Sequence, residues 1–270
     1  MTQFDRPRAL EAALMAAAAA SDVLRRRFRP AEGAALETWM KSPGALVTDA
    51  DLASDRAIAE ALEEAGAPGN ILSEESRTLR GDDSLTWLID PLCGTVPFST
   101  GMGHWGINIA LRSEGALELA VLSLPPIGEQ LAVVRGRGVS RNGQPWTGTP
   151  PGVRLSDVAV GLEIDGGQEW ERLLKGGLEW VPQVGQVNTF ASAAYPMAQV
   201  CLGRLAAGVF YGIEPVHLAA GATVAIELGL HVTDGAGQPI DWSGDDEIPL
   251  VVVGWPDIHS QLIAAMSGGG

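Results

Sequence analysis

One short segment of the sequence combines residue types that can hold an anion and a metal ion. The apolar run Trp87-Leu88-Ile89 leads directly into Asp90-Pro91-Leu92-Cys93-Gly94-Thr95. A strand that ends this way presents a carboxylate, a glycine and a hydroxyl at its carboxyl edge. If a helix begins near Gly94, the unpaired backbone N–H groups of its first turn can receive a phosphate oxygen. The segment therefore predicts an anion site beside a buried acid.

Two upstream acids can join this segment. Glu74 and Glu75 follow the apolar pair Ile71-Leu72 and could lie near Asp90. Carboxylates that converge repel each other unless a cation neutralises them. Mg²⁺ is the expected cation, because it takes carboxylate and carbonyl oxygens and keeps positions for water and phosphate. Glu75 is expected to be a solvated neighbour of the site.

Two helices are predicted in the first third of the chain. Apolar residues among alanines indicate a long helix from about residue 8 to 28, which ends before Pro30. Thr48 and Asp51 have the spacing of a capping pair, so a second helix should begin there and end near Gly66. Asp51 is therefore expected in the first turn of a helix.

Short apolar runs separated by turn residues predict one sheet. The expected strands are 85–89, 106–112, 117–123 and 130–134, with helices at 192–205 and 218–228 and a buried strand at 250–253. The Gly-, Pro- and Thr-rich stretch 137–152, with its turn signal Asn142-Gly143, is the predicted boundary between halves of about 1–150 and 151–270. This alternation indicates helices that cover sheets in several layers.

Composition limits the class of protein. The chain has 270 residues, of which 46% are hydrophobic, so it can bury a sizeable core. Its net charge of −15 argues against nucleic acid or an anionic membrane as a partner. Only Cys93 and Cys201 are cysteines, and their surroundings differ too much to suggest a disulfide. We therefore expect a soluble, cytoplasmic protein.

The motifs, taken together, resemble the inositol monophosphatase family. The first signature of that family reads roughly W-I-x-D-P-x-D-G-T-x-x-F, and the agreeing residues are Trp87, Ile89, Asp90, Pro91, Gly94, Thr95 and Phe98. Val47 to Asp51 resembles V-T-x-x-D, with Lys41 before it, and Ser73 to Ser76 resembles G-E-E-S. Pro215 to Gly221 resembles the second signature, W-D-x-A-A-G.

The resemblance implies an α+β fold, namely the layered α/β/α/β/α sandwich of the inositol monophosphatase and fructose-1,6-bisphosphatase type. It implies a single domain over 1–270 and a homodimer. The implied activity is that of a Mg²⁺-dependent phosphomonoesterase, a phosphoric monoester hydrolase acting on an inositol, sugar or nucleotide-derived phosphate. The alternatives are an inactive homologue that binds an anionic metabolite or serves as a structural or regulatory partner, and an enzyme of changed chemistry in the same pocket.

The resemblance also implies catalytic and substrate-binding residues. Thr95 and Asp51 become the pair that orients and deprotonates the attacking water, which Glu74 holds from its other side. The N–H groups of Gly94 and Thr95 receive the phosphate. Ser192 matches the serine of the family's G-S pair and either contacts the substrate or only begins a helix. Asp51 could equally serve only as a helix cap.

Metal ligands follow from the same resemblance, with two departures. Glu74, Asp90 and the carbonyl of Leu92 become ligands of one Mg²⁺ ion. At two further ligand positions the family's aspartates are replaced by Cys93 and His217. Cysteine and neutral histidine bind Mg²⁺ poorly but bind Zn²⁺ and related ions well. Three interpretations stay open: the two side chains only pack, the site holds one Mg²⁺ ion, or it takes Mn²⁺ or Zn²⁺ through Asp90, Cys93 and His217.

Overall fold

The computed structural model describes residues 4–29, 36–42, 45–79, 84–164, 171–173 and 175–267. Its helices are α1 (Arg6–Arg27), α2 (Asp49–Glu64), α3 (Thr95–Ser99), α4 (Ala194–Cys201), α5 (Pro215–Glu227) and α6 (Pro256–Ser267). A separate antiparallel pair consists of β1 (Thr38–Ser42) and β2 (Ala45–Thr48). No helix among these residues is both long enough and apolar enough to cross a membrane.

The larger sheet has eight strands in the order β10-β9-β8-β7-β6-β5-β3-β4. Its members are β3 (Asn70–Ser73), β4 (Arg77–Thr78), β5 (Leu85–Cys93), β6 (Gly106–Ser113), β7 (Ala116–Leu124), β8 (Glu129–Val134), β9 (Val139–Arg141) and β10 (Gln144–Trp146). All neighbours are antiparallel except β3 and β5, which run in parallel. The four strands predicted between 85 and 134 are thus confirmed as neighbours in one sheet.

The smaller sheet is mixed and has the order β12-β11-β13-β15-β14. Its strands are β11 (Ala159–Ile164), β12 (Gln186–Asn188), β13 (Ala207–Ile213), β14 (His231–Thr233) and β15 (Ile248–Gly254). The predicted strand 250–253 is the central part of β15. Because β13 is covered on both faces, all seven of its residues are buried.

The elements stack in five layers. Helices α1 and α2 pack on one face of the larger sheet, and the buried side of α1 is mostly alanine, which lets the helix approach closely. Helices α4 and α5 lie between the two sheets, where Leu88 of β5 and Phe210 of β13 belong to one apolar cluster. Helix α6 covers the outer face of the smaller sheet through Ile258 and Leu262. The predicted α/β/α/β/α sandwich is confirmed.

Three boundaries differ from the sequence predictions. The stretch 137–152 is only partly a link, because β9 and β10 form an edge hairpin whose turn is Asn142-Gly143, both at positive φ. Helix α4 is shorter than 192–205, since Gly203 takes a left-handed conformation, and α5 begins at Pro215 rather than at 218. The division of the chain at about residue 150 stays a prediction.

Candidate active site

The end of β5 forms the floor of a cavity between the two sheets. Pairing of β5 with β6 shifts register between Asp90 and Cys93, where Pro91 lacks a backbone donor. The freed carbonyl of Pro91 accepts a hydrogen bond from Ser54 Oγ at 2.7 Å, and the oxygen of Leu92 lies 3.4 Å from Thr95 Oγ1. The cavity has a volume of about 300 Å³. Several predicted site residues line it: Glu74, Asp90, Leu92, Cys93, Gly94, Thr95, Ser192 and His217.

Gly94 makes the turn from β5 into α3. Its φ of 106° is left-handed, a conformation that only glycine adopts without strain. A Cβ atom at this position would lie 2.8 Å from the carbonyl oxygen of His104 and 2.9 Å from Ser192 Cβ. Glycine therefore allows three chain segments to meet beside the cavity.

Substituting Gly94→Ala is expected to lower the free energy of unfolding by about 1–3 kcal/mol, since it adds a backbone clash to an unfavourable φ. Urea denaturation measures the change. Gly128→Ala is the matched control, because Gly128 also has a positive φ but nothing lies within 4 Å of its missing Cβ. Equal losses in the two variants would mean that the close approach to His104 contributes nothing.

Asp51 is both a helix cap and the partner of Thr95. The Thr48 backbone N–H and hydroxyl donate to Asp51 Oδ2 at 2.8 and 2.6 Å, which completes the capping box of α2. Thr95 Oγ1 donates to Asp51 Oδ1 at 2.8 Å. Burial raises the pKa of Asp51, although these hydrogen bonds oppose the shift. The structure therefore shows Asp51 in the capping box and in contact with Thr95, while its catalytic role stays a prediction.

Glu74 and Asp90 face the same cavity. The backbone N–H of Glu74 donates to the carbonyl of Ile89 at 3.0 Å, so Glu74 extends β3 alongside β5. Burial, and then the charge of Asp90, raises the pKa of Glu74 to about 8. A cation between the two carboxylates would offset that repulsion. Glu74, Asp90 and the Leu92 carbonyl would offer only oxygen atoms to an ion in this cavity, which fits Mg²⁺, and their role as ligands stays a prediction.

Glu75 is not the solvated neighbour that the sequence suggested. Its side chain is 2% exposed and forms a close ion pair with Lys41 Nζ, which also lies 3.4 Å from Glu74 Oε1. Lys41 belongs to β1, and the β1–β2 pair places the Lys41 ammonium beside the acids that follow β3. Glu75 therefore holds the positively charged Lys41 ammonium next to the site.

Cys93 and His217 converge on Asp90. His217 Nδ1 lies 2.6 Å from Asp90 Oδ2, and a carboxylate oxygen, the cysteine sulfur and an imidazole nitrogen of the three residues lie within 4.8 Å of one another. Burial, and then Asp90, raises the pKa of Cys93 to about 12. Burial alone would lower the pKa of His217, but the charge and hydrogen bond of Asp90 raise it well above its usual value. A thiol and an imidazole do not fit Mg²⁺.

Ser192 reaches the cavity from the loop before α4. Its Oγ donates to the carbonyl of Cys93 at 2.9 Å and accepts the backbone N–H of Tyr195 at 3.3 Å. The serine therefore joins the end of β5 to the loop just before α4, which begins at Ala194. Its predicted contact with substrate stays a prediction.

Glu163 is a cavity residue that the sequence reasoning missed. It is 6% exposed at the end of β11 and accepts the backbone N–H groups of Phe190 at 2.7 Å and Ser192 at 3.4 Å. Burial raises its pKa to about 8. A single acid in the otherwise apolar run Ala159–Ile164 was the available signal. Glu163 fixes the loop that carries Ser192.

The pKa of Glu163 predicts a pH-dependent effect of Glu163→Gln. Folded protein keeps the Glu163 proton up to about pH 8, whereas the unfolded chain releases it near its ordinary pKa of 4.5. This carboxyl therefore makes the folded state progressively less stable as pH rises through that window. Glutamine does not titrate, so the melting temperature of Glu163→Gln relative to the unmodified protein should rise by several degrees across the window and then level off.

Glu129→Gln is the control of opposite sign. Arg141 and Arg204 donate to Glu129, and the hydrogen bonds from Arg141 hold its pKa below the usual value. Stability from this carboxylate is lost as pH falls below its ordinary pKa of 4.5, so Glu129→Gln should lose melting temperature relative to the unmodified protein as pH rises to about 4.5 and then stay level through the window of Glu163. A flat difference for Glu163→Gln across the window would contradict its assignment as a buried, proton-holding acid.

A layered α+β sandwich with clustered acids and a threonine–aspartate pair at one strand end defines the class of metal-dependent phosphoric monoester hydrolases. The chain belongs to the inositol monophosphatase family, whose model matches residues 5–267. The inositol-1-monophosphatase of Rhizobium meliloti is 30% identical over 215 residues, which cover 76% of this chain and 79% of the relative. The Nus factor SuhB of Escherichia coli is 28% identical over 230 residues, which cover 84% and 85%.

Solved structures agree with the fold. The extragenic suppressor protein SuhB of Bartonella henselae superposes with a TM-score of 0.86 at 26% identity, over 96% of this chain and 98% of that one. An inositol monophosphatase/NADP phosphatase complexed with Mg²⁺ and phosphate superposes with a TM-score of 0.72 at 20% identity, over 87% of each chain. The second likeness concerns the fold alone.

Proposed function

We propose that the chain is a Mg²⁺-dependent phosphomonoesterase that hydrolyses an inositol, sugar or nucleotide-derived phosphate. The contact of 2.8 Å between Thr95 Oγ1 and Asp51 Oδ1 carries the proposal, because it connects a buried carboxylate to the cavity of Glu74 and Asp90. Magnesium held by Glu74, Asp90 and the Leu92 carbonyl would supply positive charge to the phosphate and lower the pKa of a water.

The chain's own residues have three tasks in this proposal. Thr95 donates its hydroxyl proton to Asp51, so the threonine oxygen keeps lone pairs that can accept a hydrogen bond from the attacking water. Asp51, held by Thr48, receives the proton that the threonine passes on. The backbone N–H groups of Gly94 and Thr95 bind a phosphate oxygen.

Phosphate release from a panel of sugar, inositol and nucleotide phosphates tests the proposal. Turnover should appear with Mg²⁺ and disappear when a chelator removes the ion. Mn²⁺ and Zn²⁺ are included because Cys93 and His217 change the donor set. Turnover that persists in chelator would contradict a metal-dependent mechanism.

A second candidate is a non-catalytic protein that binds an anionic metabolite or acts as a structural or regulatory partner. Two observations favour it: Cys93 and His217 replace aspartates of the family motifs, and several relatives carry the name Nus factor rather than that of a phosphatase. This candidate would be supported if the folded protein released phosphate from no substrate of the panel but still bound inorganic phosphate. In either case we propose a cytoplasmic homodimer, which sedimentation and cell fractionation would test.

A further inference from the structure

The side chains around Asp90 are poor ligands for a second Mg²⁺ ion, because sulfur and imidazole nitrogen bind transition-metal ions better. We propose that Asp90, Cys93 and His217 form a site for Zn²⁺ or a similar transition-metal ion. This inference extends the proposed function. It rests on that function only where it concerns the role of the ion in phosphate hydrolysis. Binding of the ion is a separate property that can be measured without a substrate.

The three side chains come from two firmly packed elements. Asp90 and Cys93 end β5 in the centre of the larger sheet and are 0% and 4% exposed, while His217 lies in the first turn of α5 between the sheets. Their ligand atoms lie within 4.8 Å of one another. His217 Nδ1 and Asp90 Oδ2 are already in contact at 2.6 Å, and an ion would take the place of that hydrogen bond. Little rearrangement is needed to bring three ligands onto one ion.

Two of the three ligand side chains accept a further hydrogen bond from the backbone, as metal ligands in proteins often do. The backbone N–H of Ala194 donates to Cys93 Sγ at 3.1 Å, and that of Leu92 donates to Asp90 Oδ1 at 3.1 Å. Asn108 Nδ2 donates to the carbonyl of His217 at 3.1 Å, which fixes the start of α5. The Ala194 and Leu92 donors fix the positions of the sulfur and the carboxylate.

A fourth position lies open beside the three ligands. Asp90, Cys93 and His217 all line the cavity of about 300 Å³, so one side of an ion between them would face water or substrate. Three protein ligands with one open position are the usual arrangement of catalytic zinc, whereas structural zinc is closed by four. The combination of carboxylate, thiolate and imidazole matches zinc and cobalt better than magnesium or calcium.

Simple loss of the second metal explains the side chains less well. A vacated, buried position is filled at lower cost by apolar residues than by a carboxylate and an imidazole in contact, because buried charges lose hydration. At the two metal-ligand positions that depart from the family motifs, both side chains ligate transition metals, and both lie next to the retained Asp90. If the two side chains only packed, neither their metal-binding chemistry nor their position next to Asp90 would be explained.

Metal titration of the full chain tests the inference. Protein freed of metal with a chelator is titrated with Co²⁺ followed by absorption, and with Zn²⁺ followed by calorimetry. One ion per chain is expected, with the sulfur-to-cobalt charge-transfer absorption that a thiolate ligand produces. Zn²⁺ should abolish the cobalt spectrum, and a large excess of Mg²⁺ should leave it unchanged. Absence of stoichiometric binding in folded, unmodified protein would overturn the inference.

Two cysteine variants assign the sulfur. Cys93→Ser should remove the charge-transfer absorption and weaken Zn²⁺ binding by at least about 10- to 100-fold. Cys201→Ser is the matched control, since Cys201 is also buried but its sulfur faces the carbonyl of Gly221 and is not among the three ligands, and it should keep the full spectrum. If Cys93→Ser does not fold, His217→Asn provides the second test and should weaken binding similarly. A spectrum that survives Cys93→Ser or disappears in Cys201→Ser would refute the assignment, whatever the phosphatase assay shows.

Discussion

Thr95→Val is expected to lower metal-dependent phosphate release by about 10²- to 10⁴-fold, the usual contribution of a positioned proton-transfer group. Valine has nearly the shape of threonine but cannot donate to Asp51 Oδ1 or accept from a water. The rate constant should therefore fall at saturating substrate and Mg²⁺, while the Michaelis constant changes little. Steady-state kinetics on the best substrate of the panel measures both values.

Thr100→Val is the matched control for this experiment. The Thr100 hydroxyl lies just past α3 and donates to the carbonyl of Val96 at 2.9 Å, within its own turn. Its removal should leave turnover unchanged. Melting temperatures of both variants show whether the fold is intact. Unchanged turnover in folded Thr95→Val would remove Thr95 and Asp51 from the mechanism and favour the capping role of Asp51.

Local signals predicted much of the fold and the floor of the site. Apolar runs located the central strands, because a strand covered on both faces must be apolar almost throughout. The spacing of Thr48 and Asp51 predicted the start of α2, since a capping box needs only residues three apart. Both signals act within a few residues, so they can be recognised without knowing what the segment packs against.

Local sequence patterns could not predict contacts between segments that are distant in the sequence. Glu75 resembled a solvated acid because nothing near it in sequence shows that Lys41, 34 residues earlier, pairs with it. Glu163 receives N–H groups from a loop 27 residues later, and only the packing of β11 against that loop reveals the contact. The β9–β10 hairpin resembled a link because an edge hairpin rich in turn residues has the same composition as a connection.

The family resemblance predicted where Cys93 and His217 would lie, and the structure places both beside Asp90 as that prediction requires. The resemblance could not give the consequence of the substitutions. That depends on distances among Sγ, the imidazole and the carboxylate, on their burial, and on the donors of Ala194 and Leu92. Chemistry at this position is therefore a property of the tertiary structure rather than of the motif.

Joint restoration of both aspartates, Cys93→Asp with His217→Asp, is expected to raise Mg²⁺-supported phosphate release by about 10- to 100-fold, a range typical of changes in the surroundings of a metal. The new carboxylates would complete an oxygen donor set around Asp90, which Mg²⁺ prefers over sulfur and nitrogen. The Ala194 N–H that now donates to Cys93 Sγ can donate to a carboxylate at the same place. Phosphate release as a function of Mg²⁺ concentration measures the gain.

The two substitutions should act as a unit. Cys93→Asp alone places another carboxylate beside Asp90 while His217 still occupies the contact to Asp90 Oδ2, so it should recover little Mg²⁺ activity. His217→Asp alone leaves a thiol in the donor set. The double variant should also lose the cobalt–thiolate absorption, because no sulfur remains at the site. If the folded double variant gains no Mg²⁺-dependent turnover, loss of the second magnesium is not what distinguishes this chain, and the non-catalytic candidate becomes the stronger one.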